Sequence, residues 1–281
     1  MGKVLGITIV LSALLGVSSA QTYSYKDFKT PTEGQSEVIG SYANGCLLGG
    51  EKMALSGPGY QLVRQSRNRH FGHPKLLTYL EKVGIEREKR GQLLLVSDMS
   101  QPRGGRMHNS AHASHQNGLD VDIWLYEFTP EAFKSSYIEG FGVPSVVDKA
   151  KGTVNANWRR EYFNLFEDLA SFPEVDRIFI NPVIKKELCS IDENAAWQYK
   201  VRPWFGHDDH LHVRLTCPEG AKDCVTQAPI PKQSGCNADL DNWIKDQSDV
   251  AINGPKPRGN IAPVAPPPLH PRCQMLFEPA K

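Results

Sequence analysis

Residues 114–125 read Ser-His-Gln-Asn-Gly-Leu-Asp-Val-Asp-Ile-Trp-Leu, and from Leu119 onward the stretch alternates. Leu119, Val121, Ile123 and Leu125 fall on one face of an extended chain, and Asp120, Asp122 and Trp124 on the other, because successive side chains of a strand point to opposite sides. One face is suited to burial. The other sets two carboxylates side by side. A second stretch, residues 209–215, repeats the pattern: Leu211, Val213 and Leu215 share one face, and His210, His212 and Arg214 the other. If the two strands are antiparallel neighbours, their Asp and His side chains meet on one patch of the sheet. His112-Ala113-Ser114-His115, just before the first strand, adds two more imidazoles at its edge.

Outward from these strands the apolar spacing predicts a helix over residues 74–90, with Gly91 as its stop, and a buried strand over 92–97. Residues 99–114 are polar and carry Pro102, Gly104 and Gly105, so they read as a loop. Trp158, Tyr162, Leu165, Phe166 and Leu169 form the stripe of a helix over 158–172, ended by Pro173. A strand over 176–181 follows, and Asn181-Pro182 opens a short helix through Leu188. Strands mixed with helices, without regular βαβ alternation, predict an α+β fold: an antiparallel sheet with helices packed around it. Residues 21–60 read as irregular or short-stranded. From Pro229 the composition shifts, and seven prolines fall between Pro255 and Pro271. That tail reads as extended, wrapping the surface rather than forming a second domain.

The 281 residues are 40% hydrophobic and suffice for a substantial core. Lys plus Arg is 32 against 31 for Asp plus Glu, so nothing draws the chain to a polyanion, and nucleic-acid binding is not expected. Lys3, the apolar run Val4–Val17 and the small residues Ser18-Ser19-Ala20 read as a signal peptide over residues 1–20. The apolar run is shorter than the ~20 residues a membrane span needs. The expected organisation is a signal peptide (1–20), one domain (21–254) and a Pro-rich tail (255–281). The expected setting is the periplasm, with no membrane anchor after cleavage. Six cysteines with no CxxC spacing in an exported chain read as disulfides rather than a thiolate metal site. Proximity alone suggests only Cys217 with Cys224.

Six of the nine histidines lie in two short segments, His108, His112 and His115, then His207, His210 and His212. Two neutral imidazoles and a carboxylate, with one position left open, are the ligand set of a catalytic zinc site. Calcium and magnesium prefer oxygen donors alone.

Ser114-His115-Gln116-Asn117-Gly118-Leu119-Asp120-Val121-Asp122 resembles the SxHxxGxxxD motif of the zinc peptidases that include lysostaphin and the D-Ala-D-Ala metallopeptidases, and His210-Leu211-His212 resembles their HxH motif. The flanking segments GGRMHNSAHASHQNGLDVDIWL and VRPWFGHDDHLHVRLTCP resemble, more closely, the penicillin-insensitive murein endopeptidase family. The resemblance runs from about Leu48 to the Pro-rich tail. It implies a small central antiparallel sheet carrying a zinc site, with His115, Asp122 and His212 as ligands. His210 becomes a base or transition-state stabiliser, His207 a further active-site histidine, and His112 a histidine that contacts a second metal. The family's second-metal region falls near Asp148, where this chain has no accompanying His, so one zinc is implied and the second is left open. The resemblance also implies the pairs Cys46–Cys273, Cys189–Cys236 and Cys217–Cys224.

The activity so implied is hydrolysis of the D-alanyl–diaminopimelate cross-links of bacterial peptidoglycan. The alternatives are a D,D-carboxypeptidase on the same zinc site and a non-catalytic wall-binding protein. Arg103, Arg106 and Arg202 lie beside the motifs and are candidates for binding substrate carboxylates. Asp120 is a candidate for fixing a ligand imidazole, with a structural contact as the alternative. Trp204 and Phe205 either wall the cleft or simply pack.

Overall fold

The computed structural model describes residues 27–108, 110, 112–255 and 268–277. The signal peptide expected over 1–20, residues 21–26, and 256–267 and 278–281 of the tail lie outside them. The chain opens with a hairpin, β1 (Glu37–Ser41) and β2 (Asn44–Leu48), followed by the short strands β3 (Glu51–Lys52), β4 (Ser56–Gly57), β5 (Tyr60–Leu62) and β6 (Phe71–Gly72). Then come α1 (Pro74–Lys89), β7 (Leu94–Val96), β8 (Asp120–Trp124), α2 (Tyr137–Gly140) and the paired strands β9 (Val147–Asp148) and β10 (Thr153–Val154). The second half holds α3 (Tyr162–Ala170), β11 (Val175–Ile180), α4 (Pro182–Asp192), β12 (Val201–Pro203), β13 (His210–Leu215), α5 (Ala238–Asn253) and α6 (Pro271–Leu276).

The fold is α+β, built on a seven-stranded sheet in the order β12-β11-β13-β8-β7-β5-β4. The sheet is larger than the small antiparallel one expected, and it is mixed. Its centre, β11-β13-β8-β7, is antiparallel, while β12 joins β11 and β5 joins β7 in parallel. Long connections, including α4 between β11 and β12 and α1 between β5 and β7, make those parallel pairings feasible. The two alternating strands, β8 and β13, are direct neighbours: His210 faces Trp124, His212 faces Asp122 and Arg214 faces Asp120.

The apolar face does what the alternation requires. Leu119, Val121, Ile123, Leu125, Leu211, Val213 and Leu215 are all fully buried in one core. Leu76, Leu80 and Val83 of α1, Leu165, Phe166 and Leu169 of α3, and Ile184 and Leu188 of α4 join them there. Three helices start on the same local device, a residue whose side chain caps the first turn followed by Pro at its first position: His73-Pro74, Asn181-Pro182 and His270-Pro271.

α3 begins at Tyr162 rather than at Trp158, whose ring packs edge-on against Tyr162 at 5.4 Å from the turn before the helix. The reading of everything beyond Pro229 as extended needs correction, since α5 occupies 238–253 and α6 occupies 271–276. α5 buries only Leu240, so its apolar stripe is weak, but Asn237 caps it and Asp239 and Asp241 favour its N-terminus. The cysteines pair as Cys46–Cys273, Cys189–Cys236 and Cys217–Cys224. The first ties α6 to β2, and the second ties the segment before α5 to α4. Among the described residues no helix is long and apolar enough to cross a membrane.

Candidate functional site

The polar face of β8 and β13 is covered by the loop between β7 and β8, by the β12–β13 loop and by the β1–β2 turn. The chain turns into β8 at Gly118, where φ is +80° and an added Cβ would lie 2.8 Å from Leu47 Cδ2, so a side chain there is strained. Just before it, His115 takes a left-handed backbone (φ 64°) and is completely buried. Its N–H donates to Asp120 Oδ2 at 3.0 Å, which helps hold that unfavourable conformation.

Three histidines converge on Asp122. His115 Nε2 lies 3.2 Å and His212 Nδ1 3.4 Å from Asp122 Oδ1, while His112 Nε2 lies 3.4 Å from Oδ2. The ligand atoms of His112, His115 and Asp122 all fall within 4.8 Å of one another. His115 Nε2 and Asp122 Oδ1 are buried and have no hydrogen-bond partner among the described residues. Buried polar atoms are normally satisfied. An unpaired imidazole nitrogen and an unpaired carboxylate oxygen side by side, with the His112 and His212 rings within reach, are what a divalent ion would complete, and the nitrogen-rich set suits zinc.

Asp120 makes a platform beneath this cluster. It is fully buried, and Arg214 Nε and Nη2 donate to its two oxygens at 2.8 and 2.9 Å. Asp120 Oδ1 also lies 3.2 Å from His212 Nε2, on the far side of the ring from Asp122. The Arg214 guanidinium stacks over Tyr42 at 4.1 Å, and the Tyr42 hydroxyl donates to the Leu215 carbonyl at 2.8 Å.

Protonation follows from these surroundings. Burial alone would raise Asp122 and Asp120, but His115 and His210 around the first, and Arg214 and His212 around the second, hold both carboxyls far below the usual range. Burial takes His212 down to about 4, and it lowers His112 and His207, with neighbouring imidazoles adding to the effect in each. These three stay neutral, as a metal ligand must. For His115 burial acts downward, but Asp122 and Asp120 outweigh it and raise the imidazole. Burial also pulls His210 down, yet Asp122 and Asp209 carry it up to about 9.

His210 and His207 flank the cluster. His210 Nδ1 hydrogen-bonds Asp209. His207 sits in a left-handed conformation (φ 52°), its Nδ1–H donating to the Phe205 carbonyl at 2.6 Å, with its ring 5.0 Å from that of His210. Five of the six clustered histidines thus meet. The side chain of His108 is exposed instead, and its carbonyl accepts from Arg69.

A cleft of about 170 Å³ opens beside the cluster, with His112, Asp122 and His210 on one side and Arg67, Asp98 and Trp124 among its other walls. Arg103, Arg106 and Arg202 do not line it. Arg103 donates to the carbonyls of Thr30 and Leu276 and lies over the Phe28 ring, so it braces the C-terminal helix. Arg106 is exposed, and Arg202 sits on β12 at the edge of the sheet. The arginines of the cleft are Arg64 and Arg67, which sequence reading missed because they are far from either motif. Arg64 is taken up by the carbonyls of Glu139 and Phe141, whereas among the described residues Arg67 uses only Nη1 on Asp98, at 2.9 Å. Asp98, held also by Arg69 at 2.8 Å and 3.7 Å from His112 Nε2, was likewise missed. Asp148 is engaged with Lys151 on β9 and is no part of the cluster.

Residues 38–278 match the family model described as penicillin-insensitive murein endopeptidase. Curated proteins of that name are similar over nearly their whole length. One from Klebsiella pneumoniae subsp. pneumoniae is 38% identical, covering 97% of each chain, and one from Yersinia enterocolitica is 38% identical, covering 95% of each. One from Haemophilus influenzae is 38% identical over 99% of this chain and 96% of its own. The chain belongs to the penicillin-insensitive murein endopeptidase family.

Proposed function

We propose that this chain, as a member of that family, is a zinc-dependent endopeptidase that hydrolyses the D-alanyl–diaminopimelate cross-links of bacterial peptidoglycan in the periplasm. The observation that carries the chemistry is the approach of His115 Nε2 and His212 Nδ1 to one buried, unpaired oxygen of Asp122. These three residues would hold the zinc, with His112 at its margin. One metal is proposed, because Asp148, the residue of the family's second-metal region, is engaged elsewhere. The leader-like residues 1–20 and three disulfides support export.

Zinc bound there would supply Lewis acidity to the scissile carbonyl and a water-derived nucleophile at neutral pH. The chain's own residues do the rest. Asp120 holds the His115 backbone and lies against His212 Nε2, positioning one proposed ligand through its main chain and the other through its ring. His210, kept protonated by Asp122 and Asp209, is a donor at the cleft for the developing oxyanion or the leaving amine. His207 commits its Nδ1 proton to the Phe205 carbonyl, which leaves Nε2 as an acceptor beside His210. Among the described residues Arg67 bonds only through Nη1, and at the cleft wall it is the group proposed for a substrate carboxylate. No serine acyl-enzyme is required, so a β-lactam has no nucleophile to trap.

The test is digestion of cross-linked muropeptide dimers with and without chelator. Dimers should become monomers only with zinc present, and His115→Ala and His212→Ala should be inactive. Cleavage that persists in those variants overturns the assignment. Loss of terminal D-Ala from monomers, with dimers left intact, would make the chain a carboxypeptidase instead.

A further inference from the structure

We propose that the groove between the Trp204–Phe205 loop and α5 is a glycan subsite, which takes the amino-sugar backbone to which the cross-linked peptides are attached. The inference rests on the peptidoglycan reading above and adds a second contact with the same substrate.

Phe205 is 68% exposed and Trp204 is 50% exposed, a large aromatic surface for a polar loop. Phe205 and Trp243 of α5 lie with ring centroids 5.2 Å apart, and Trp204 lies 6.4 Å from Trp243. The groove holds about 440 Å³. Phe205, Trp243 and Val250 give its apolar wall, and Asp239, Asn242 and Asp246 its rim.

That composition selects a ligand with one apolar face and a polar edge. The C–H face of a pyranose is weakly positive and lies against the negative face of an aromatic ring. Its ring hydroxyls and acetamido N–H donate to carboxylates and carboxamides, which the rim supplies. A nucleic acid or an anionic lipid surface would meet Asp239 and Asp246 and be repelled.

The groove is also wired to the metal cluster. The carbonyl of Phe205 accepts the His207 Nδ1 proton. Trp204 packs against Phe179 at 5.7 Å, and Phe179 packs edge-on against His212 at 5.3 Å. Asn181 clamps the two walls together. Its Nδ2 donates to the Gly206 carbonyl at 3.0 Å and to Gln247 Oε1 at 2.9 Å, and its backbone N–H donates to the His207 carbonyl at 3.0 Å. A groove held in shape before the ligand arrives loses less on binding.

The test compares intact peptidoglycan sacculi with cross-linked peptide dimers stripped of sugar, using the zinc-loaded protein. Trp243→Ala and Asp246→Ala should each slow release from sacculi about tenfold and leave cleavage of the sugar-free dimers within about twofold. Equal loss on both substrates, or no loss on either, overturns the inference while leaving the peptidase reading intact. A wild-type protein that cleaves neither substrate fails the peptidase reading, and the glycan subsite falls with it. A second measurement needs no folding-sensitive variant: oligomers of N-acetylglucosamine, which carry no carboxylate, are titrated while tryptophan fluorescence is followed. A saturable change that Trp243→Phe diminishes is expected. No response to the sugars, or a response only to a peptide of residues 255–268, overturns the proposal, the latter in favour of the chain's own Pro-rich segment.

Discussion

Asp120 and Arg214 stand opposite one another on β8 and β13 and form a two-pronged ion pair of 2.8 and 2.9 Å directly beneath the His/Asp cluster. Both are buried, Asp120 completely. The same carboxylate accepts the His115 N–H and lies 3.2 Å from His212 Nε2, so one ion pair underpins two of the proposed ligands.

Removing one partner should therefore cost both stability and metal. Arg214→Met leaves Asp120 as an uncompensated buried charge, and chemical denaturation should show a loss of about 3–5 kcal/mol. Asp120→Ala should weaken zinc binding about 10–100-fold, measured by competition with a chromogenic chelator. Zinc affinity unchanged in Asp120→Ala would show that the ligands hold their positions without it.

Ligands and bystanders should separate by metal content. Asp122→Ala and His212→Ala should bind no zinc and show no activity. His210→Ala should keep its zinc, by elemental analysis, while kcat falls about 10²–10⁴-fold. Loss of zinc from the His210 variant would make it a ligand instead.

Stripping the metal should also loosen the fold. Charged, unpaired groups then face one another across β8, β13 and the His115 loop, so the apo protein should melt at lower temperature than the zinc form. The difference should grow with free zinc concentration. Calorimetry at two zinc concentrations checks it.

Arg67→Ala should raise KM for muropeptides with little change in kcat, because Arg67 faces the cleft without touching the proposed ligands. Arg103→Ala should leave both constants alone and lower stability instead, since its nitrogens hold the Thr30 and Leu276 carbonyls. Steady-state kinetics on the pair tells them apart.

Lys185 gives a pH signature away from the site. Its ammonium is buried and donates to Gln198, and burial, aided by Arg202, lowers it from 10.5 to about 7. Between those values the unfolded chain binds the proton and the folded chain does not, so stability rises with pH from about 7 to about 10.5. The contribution is complete above that window and is lost as pH falls through about 7. Lys185→Met should flatten this part of the denaturation profile, provided the variant's unfolding stays two-state.

Local periodicity decided a good deal. The alternation of Leu119–Leu125 and of residues 209–215 set two strands with one apolar and one polar face, and the structure places them side by side, His212 against Asp122. The stripe starting at Pro74 made a helix, and the Asn181-Pro182 pair started another. Such signals are legible because side-chain direction repeats every few residues, whatever the rest of the chain does. Other features depend on partners remote in sequence. The sheet is mixed because β5 and β12 reach it by long crossovers, and no local spacing encodes that pairing. α5 was hidden because its stability comes from a cap and a disulfide at its start rather than from a strong stripe of its own. Adjacency to the motifs favoured Arg103, Arg106 and Arg202, but the fold brings Arg67 to the cleft from the segment before α1 and sends Arg103 to the C-terminal helix. The sequence by itself determined which side chains could hold a metal, because spacing along a strand is a local property. Only the tertiary structure decided which oxygen they share, which carboxylate braces them and which arginine faces the cleft, because those are distances between segments that the chain alone leaves free.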